Sequence, residues 1–445
     1  MARRFPITAD LYSKLTGDAT LPIVEVERAS VIAKRKRIVK AIAQWGAAPV
    51  GQEPTTLGHT ISGLAVREWE VFHATAKTAL ARGGTAAEEY DYAVGTFLQN
   101  RHLVVWNRGN LRLRRGGIFS RSDSARTATA GRFGEAVLQL FMTKAKGYKY
   151  WDHIPALVER AFNKAAAPHK EQLRFANIVK SSFPDGVNAG KRPDFAFEKA
   201  NGECGLAEAK GSFIDPGASP SMIKGDFAQG LQQLDAWNGH LRRKATKSFV
   251  VGTYLREVGD EHADPSLIAF VDPEGDATSG DEIIDYPDDW IRRGNYGAWL
   301  DGMGFSSAGN ALKNGIEIAT EPRLLPVITL GRRQYAITFD KCWSPWWWEW
   351  DELRWFAAIE GRSRRGYEEH IPVFGMEIDT LHAVESSVNN SAETLVVQSA
   401  TDTLIEDADF PEWFSGSVFP DGSLIGALHV PRRGFRIDRE EKFRL

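Results

Sequence analysis

The stretch from Lys191 to Gly211 constrains this chain more than any other, because two short apolar runs there carry charges that an ordinary sheet face would not bury. Pro193-Asp194-Phe195-Ala196-Phe197-Glu198 and Gly205-Leu206-Ala207-Glu208-Ala209-Lys210 read as paired strands. Between them, Ala200-Asn201-Gly202 holds the Asn-Gly pair of a hairpin turn. The length of that turn decides which side chains meet. A two-residue turn would pair Lys199 with Cys204 and set Asp194 opposite Ala209, away from the face of Glu208 and Lys210. A three-residue loop, with Gly202 left-handed as a G1 bulge, would pair Lys199 with Glu203 and set Asp194 opposite Glu208. Lys210 then shares their face, since side chains alternate along a strand. Such a cluster is costly on a half-buried face unless the charges are paired or metal-bound. A divalent cation resolves the conflict, and the two carboxylates offer the hard oxygens that Mg²⁺ prefers.

Pro193-Asp194 followed by Glu208-Ala209-Lys210 resembles the PD-(D/E)xK nuclease superfamily. The resemblance implies metal-dependent phosphodiester hydrolysis on an α/β, restriction-endonuclease-like core, a mixed central sheet flanked by helices, in the order helix, three strands, helix, strand. It implies Asp194, Glu208 and the Ala209 carbonyl as ligands of Mg²⁺, with Mn²⁺ as a substitute, and Lys210 as the group that positions or activates the attacking water. DNA is favoured over RNA as the substrate, and analogy extends the role to restriction or anti-phage defence. A second match to the formula, Pro420-Asp421 with Glu440-Glu441-Lys442, is set aside. Its first half is turn chemistry and its second lies in a charged terminal run.

The neighbours fit the same order. Phe133, Val137, Leu140 and Phe141 have the spacing of one helical face, and Glu135 lies off it, either as an exposed helical glutamate or as the supporting acid that the family often places there. Phe227, Leu231, Leu234 and Leu241 mark a second helix, opened by Asp226 as N-cap. Gln229 would then complete a capping box, leaving Gln232 or Gln233 as the site glutamine that many relatives carry. Strands follow at 248–255 and 266–271. The resemblance spans about 125–275. Composition and pattern divide the chain into a basic, mostly helical region at 1–120, the core at 121–275 and a mixed α+β region at 276–445.

Charge separates along the chain. Residues 1–150 hold 23 Lys and Arg against 12 Asp and Glu, although the whole chain is at −3. Arg112, Arg114, Arg115, Arg121, Arg126 and Arg132 form a run that leads into the helix of Glu135, a density suited to neutralising nucleic-acid phosphates. A basic amphipathic helix is expected over 26–40, with further helices at 65–80 and 86–98. Residues 251–300 hold 12 acidic against 3 basic groups, a poor surface for DNA. The Pro/Gly/Ser-rich segment 214–221 reads as a substrate-gating loop beside the site.

No run has the length and apolarity to cross a bilayer and no secretory segment opens the sequence, so a cytoplasmic location with no membrane partner is expected. Cys204 and Cys342 are too few for a disulfide framework. Leu324–Leu330 and Gln334–Phe339 form a hairpin. The helix at 344–361 lies in a segment holding six of the 14 tryptophans, and it reads as a packing surface, in the core or at a homodimer interface, ahead of a base-stacking platform. Gly186–Arg192 falls short of a phosphate-binding loop and lacks its Ser/Thr, so no nucleotide cofactor is expected.

Overall fold

The computed structural model describes residues 15–27, 29–34, 60–81, 101, 103–116, 122–157, 160, 193–215, 217, 223–238, 247–260, 265–272, 288–339, 369–397, 410–430 and 437–445. The tryptophan-rich helix, the helix at 86–98, Arg121 and, of the acidic segment, residues 261–264 and 273–287 lie outside them.

In chain order the elements begin with β1 (Asp18–Glu25), β2 (Thr60–Arg67), α1 (Glu68–Ala81), β3 (Val104–Val105), β4 (Arg112–Leu113), α2 (Asp123–Lys144), β5 (Tyr150–His153), β6 (Phe195–Glu198) and β7 (Cys204–Phe213). They continue with α3 (Ile223–Asn238), β8 (Lys247–Leu255), β9 (Leu267–Val271), α4 (Trp290–Gly302), α5 (Ser306–Asn314), β10 (Pro322–Leu330), β11 (Arg333–Phe339), β12 (Glu369–Glu377), α6 (Ile378–Asn389), β13 (Phe414–Val418), β14 (Ser423–Val430) and β15 (Arg439–Arg444). They gather into two compact units that interleave along the sequence. One takes Asp18–Val66 and Tyr92–Asn295, the other Met1–Gly17, Arg67–Asp91 and Tyr296–Leu445.

The first unit is mixed α/β, built on a seven-stranded sheet in the order β2-β1-β9-β8-β7-β6-β5. β5, β6 and β7 run antiparallel to one another, β8 is parallel to β7, and β9 turns back antiparallel on β8. β1 joins the far side, parallel to β9, so the front of the chain contributes strands where a mostly helical region was expected. The reason is long range: Leu21, Ile23 and Val24 bury against strands that follow much later in the sequence.

Two helices cover the centre of this sheet. α2 is longer than the apolar spacing implies, because Ser122 and Asp123 start it well before Phe133, with an acid at the positive end and Lys144 at the negative end of its dipole. It lies on the face carrying Ala209 and Gly211, approaching so closely that a Cβ on Gly211 would collide with the Ala130 carbonyl. Phe141 packs on Phe270 of the same face. α3 covers the opposite face: a Cβ on its Gly230 would press on Val250 of β8 and approach the Glu208 Cγ at 3.3 Å. Phe227, Leu231 and Leu234 bury there as expected from their spacing.

The second unit holds a six-stranded antiparallel sheet ordered β13-β14-β12-β11-β10-β15. The expected hairpin is β10–β11, closed by Leu330 opposite Arg333. The charged terminal run forms edge strand β15, paired along β10 from Pro322 to Val327. Asp421 sits in the turn between β13 and β14, next to left-handed Gly422, as its chemistry implies. Contrary to a surface turn, however, it is fully buried and ion-paired with Lys77 of α1, while Ser423 donates to its carboxylate at 2.6 Å.

Candidate active site

The hairpin adopts the three-residue loop. Gly202 N donates to the Lys199 carbonyl and Lys199 N to the Glu203 carbonyl, both at 2.9 Å, and Gly202 has φ +85°, a conformation that costs a residue without Cβ little. Phe195 therefore pairs with Ala207 and Glu198 with Cys204, and continuing that register sets Asp194 opposite Glu208. Phe195 and Phe197 fix the strand by burying on the other face against Trp151 and Tyr148.

Asp194 is held from both sides. Its carbonyl accepts from Ile154 N at 3.0 Å, just past β5, and its Oδ2 accepts from Ala209 N at 2.8 Å. Glu208 is only 3% exposed, and Lys210 reaches back along β7 to donate to its Oε1 at 2.7 Å. Lys210 also donates to Gln233 Oε1 at 3.2 Å, bringing α3 into the cluster. Of the two glutamines left open by the sequence, Gln233 is buried at the lysine; the Gln232 side chain lies outside the described residues.

Electrostatics mark the same spot. Burial pushes the Glu208 carboxyl up to about 8, the adjacent Asp194 charge pushes in the same direction, and Lys210 only partly opposes them. Glu208 Oε2 is buried without a hydrogen-bond partner. Beyond the proton that the two carboxyls share, which raises the Glu208 pKa further, no donor reaches this oxygen, so a cation that displaces the proton would find two carboxylates side by side.

The other expected residues are placed differently. Glu135 is half-buried on α2, next to Gly134, whose Cβ position lies 3.0 Å from the Gly211 Cα, so it belongs to the helix layer across the sheet from α3. Asp226 is not an N-cap, because α3 begins at Ile223, and Gln229 is exposed. Instead the Asp226 carboxylate accepts from the Tyr254 hydroxyl at 3.1 Å, a contact for which local sequence gives no signal.

Among the arginines, Arg114 and Arg115 are exposed next to β4. Arg112 is half-buried, and burial together with nearby Arg256 lowers its pKa against the opposing pull of Asp260. Arg126 is engaged by Asp215 at 2.6 Å and Asp123 at 3.6 Å, and Arg132 is half-buried on α2. The run thus divides among half-buried Arg112 on β4, the exposed pair Arg114 and Arg115, and the helix-borne Arg126 and Arg132. Of the 214–221 segment, described only in part, Asp215 is the residue tied to α2 in this way.

Among the described residues no group of three or more His, Cys, Asp and Glu side chains gathers as a metal cluster, so a cation here would rest on two carboxylates and non-carboxylate oxygens. No described helix is long and apolar enough to cross a membrane. No protein-family model, curated protein or solved structure matches the chain.

Proposed function

We propose that this chain is a Mg²⁺-dependent nuclease of the restriction-endonuclease-like type, acting on DNA, with its active site on the β6–β7 hairpin. The observation that carries the reading is the convergence of Asp194, Glu208, Lys210 and Gln233 on one sheet face, with Glu208 Oε2 buried and unbonded. The element order supports it: α2, the antiparallel β5, β6 and β7, then α3 and the parallel β8 follow the helix, three strands, helix, strand order of that fold.

The residues fit a hard divalent cation. Asp194 and Glu208 would hold it, joined by the Ala209 carbonyl, and Mn²⁺ would substitute. A bound cation would supply charge neutralisation at the scissile phosphate and lower the pKa of a coordinated water. The chain's own groups do the rest. Ala209 N orients the Asp194 carboxylate, Gln233 holds the Lys210 ammonium, and Lys210 places a positive charge where negative charge develops on the phosphate oxygens. Arg114 and Arg115 would bind phosphates outside the cleavage site.

Incubation of supercoiled plasmid with the full chain tests this. Nicked or linear product that requires Mg²⁺ or Mn²⁺, and that Glu208→Gln abolishes, is the expected result. DNA binding without cleavage in either ion would replace the enzyme with a binding protein.

A further inference from the structure

Lys210 has a difficulty built into the arrangement above. Its shortest bond is to Glu208 Oε1 at 2.7 Å, yet Glu208 is the residue that would turn its oxygens to a cation, and that cation would also repel the ammonium. Gln233, a neutral acceptor at 3.2 Å, is a weak remaining hold. A further carboxylate, Asp226, lies on the same face of α3 two turns before Gln233; it makes no ion pair with Lys210 in this structure but is close enough to feel its charge. Asp226, Gly230 and Gln233 follow one another along the stripe of α3 that faces β7 and β8, at the i, i+4, i+7 spacing of neighbours on one helix face.

β8 supplies the other half. Gly252 is the register partner of Lys210, and its missing side chain leaves the space into which the Tyr254 ring folds back. The Tyr254 hydroxyl lies 2.8 Å from where a Gly252 Cβ would be. From there it donates to Asp226 Oδ2 at 3.1 Å. Tyr254 is only 1% exposed, so its hydroxyl is held by packing, and it fixes the carboxylate in turn. Burial raises the Asp226 carboxyl above its ordinary value, while the Tyr254 hydrogen bond and the Lys210 charge pull it back, as expected of an acid that feels the ammonium.

We propose that Asp226, oriented by Tyr254, is a positioning residue for Lys210: it supplies the counter-charge that keeps the ammonium at the site once Glu208 engages a divalent cation. The inference rests on the nuclease reading for its purpose, but the placement of Lys210 can be measured without cleavage.

Asp226→Asn removes the charge and leaves an amide oxygen for Tyr254, so thermal unfolding should change little. In the full chain, the rate at which an amine-acylating reagent modifies Lys210, followed by mass spectrometry, should match wild type without added ion. With saturating Mg²⁺ it should rise about fivefold or more in Asp226→Asn, because the charge-assisted hold on the ammonium is then missing. Tyr254→Phe should give a smaller rise, and the double variant should equal Asp226→Asn, because Tyr254 acts through Asp226. On DNA, kcat should fall about tenfold with KM unchanged. Equal Lys210 labelling of wild type and Asp226→Asn in Mg²⁺ overturns the inference, as does a Tyr254→Phe effect that persists in full without Asp226. A wild-type chain that cuts no DNA removes the nuclease reading alone, and the labelling still decides the positioning role.

Discussion

Lys210 donates to Glu208 Oε1 at 2.7 Å, reaching two residues back along β7 on a sheet face that also carries Asp194. Metal holding and water activation therefore belong to different side chains and should separate on mutation. Asp194→Ala removes a cation oxygen, so Mg²⁺ affinity and cleavage should fall together. Lys210→Ala removes a competing positive charge, so Mg²⁺ binding should persist or tighten while cleavage drops roughly two to three decades, the usual worth of one transition-state electrostatic interaction. Calorimetric titration of both variants, with matched cleavage rates, checks the split. Normal cleavage by Lys210→Ala would move the active site elsewhere.

The part of this site that local chemistry dictates was readable in the sequence. Ala200-Asn201-Gly202 admitted a register in which Asp194 faces Glu208, and apolar spacing located the helices on either side. What stayed hidden depends on distant packing. Two adjacent glutamines cannot be told apart until α3 is rotated against β7, and Tyr254 meets Asp226 only because Gly252 lets its ring fold back. The same limit applies in the other unit. Asp421 lies in the turn its neighbours imply, but its burial depends on Lys77, 344 residues away. β1 reads as an isolated apolar run until β9 is beside it.

Arg114 and Arg115 are exposed where Arg112 is half-buried, so the three should behave differently on DNA. Replacing Arg114 and Arg115 with Ala should weaken binding alike for all sequences. It should also flatten the plot of log K against log salt by up to about 2, close to 0.9 for each duplex phosphate that an arginine no longer neutralises. Arg112→Ala should leave that slope unchanged. Fluorescence anisotropy across a salt series separates the two outcomes; an unaltered slope in the double variant would place the phosphates elsewhere.

Close approach of α2 to β7 makes a stability prediction independent of function. A Cβ on Gly211 would strike the Ala130 carbonyl, a backbone atom that cannot rotate away, whereas a Cβ on Gly131, one residue further along α2, meets nothing within 4 Å. Gly211→Ala should therefore destabilise by roughly 1–3 kcal/mol or more, the range for overpacking, lowering Tm by several degrees. Gly131→Ala should be neutral or stabilise by about 0.5–1 kcal/mol, as alanine restricts the unfolded chain and favours the helix. Thermal denaturation of the pair is the check, and equal Tm values would show that α2 does not rest on β7 as described.

Glu208 links the cation to protons. Burial and Asp194 push its carboxyl up to about 8, against about 4.5 in the unfolded chain, so the folded, ion-free protein keeps a proton that the unfolded chain releases. The sign follows: this group's contribution to stability is fully present below pH 4.5 and is lost as pH rises through 8. A divalent cation needs the ionised form and must displace that proton. At about pH 6.5 each Mg²⁺ bound should therefore release close to one proton, and its apparent affinity should rise almost tenfold per pH unit until it levels off above about pH 8. At about pH 9 the proton has already left, and release should approach zero. Calorimetry in two buffers of different ionisation enthalpy counts the protons directly. Glu208→Gln should abolish both the release and the pH dependence. Binding near the lower pH that releases no proton would mean that the cation rests on groups other than Glu208.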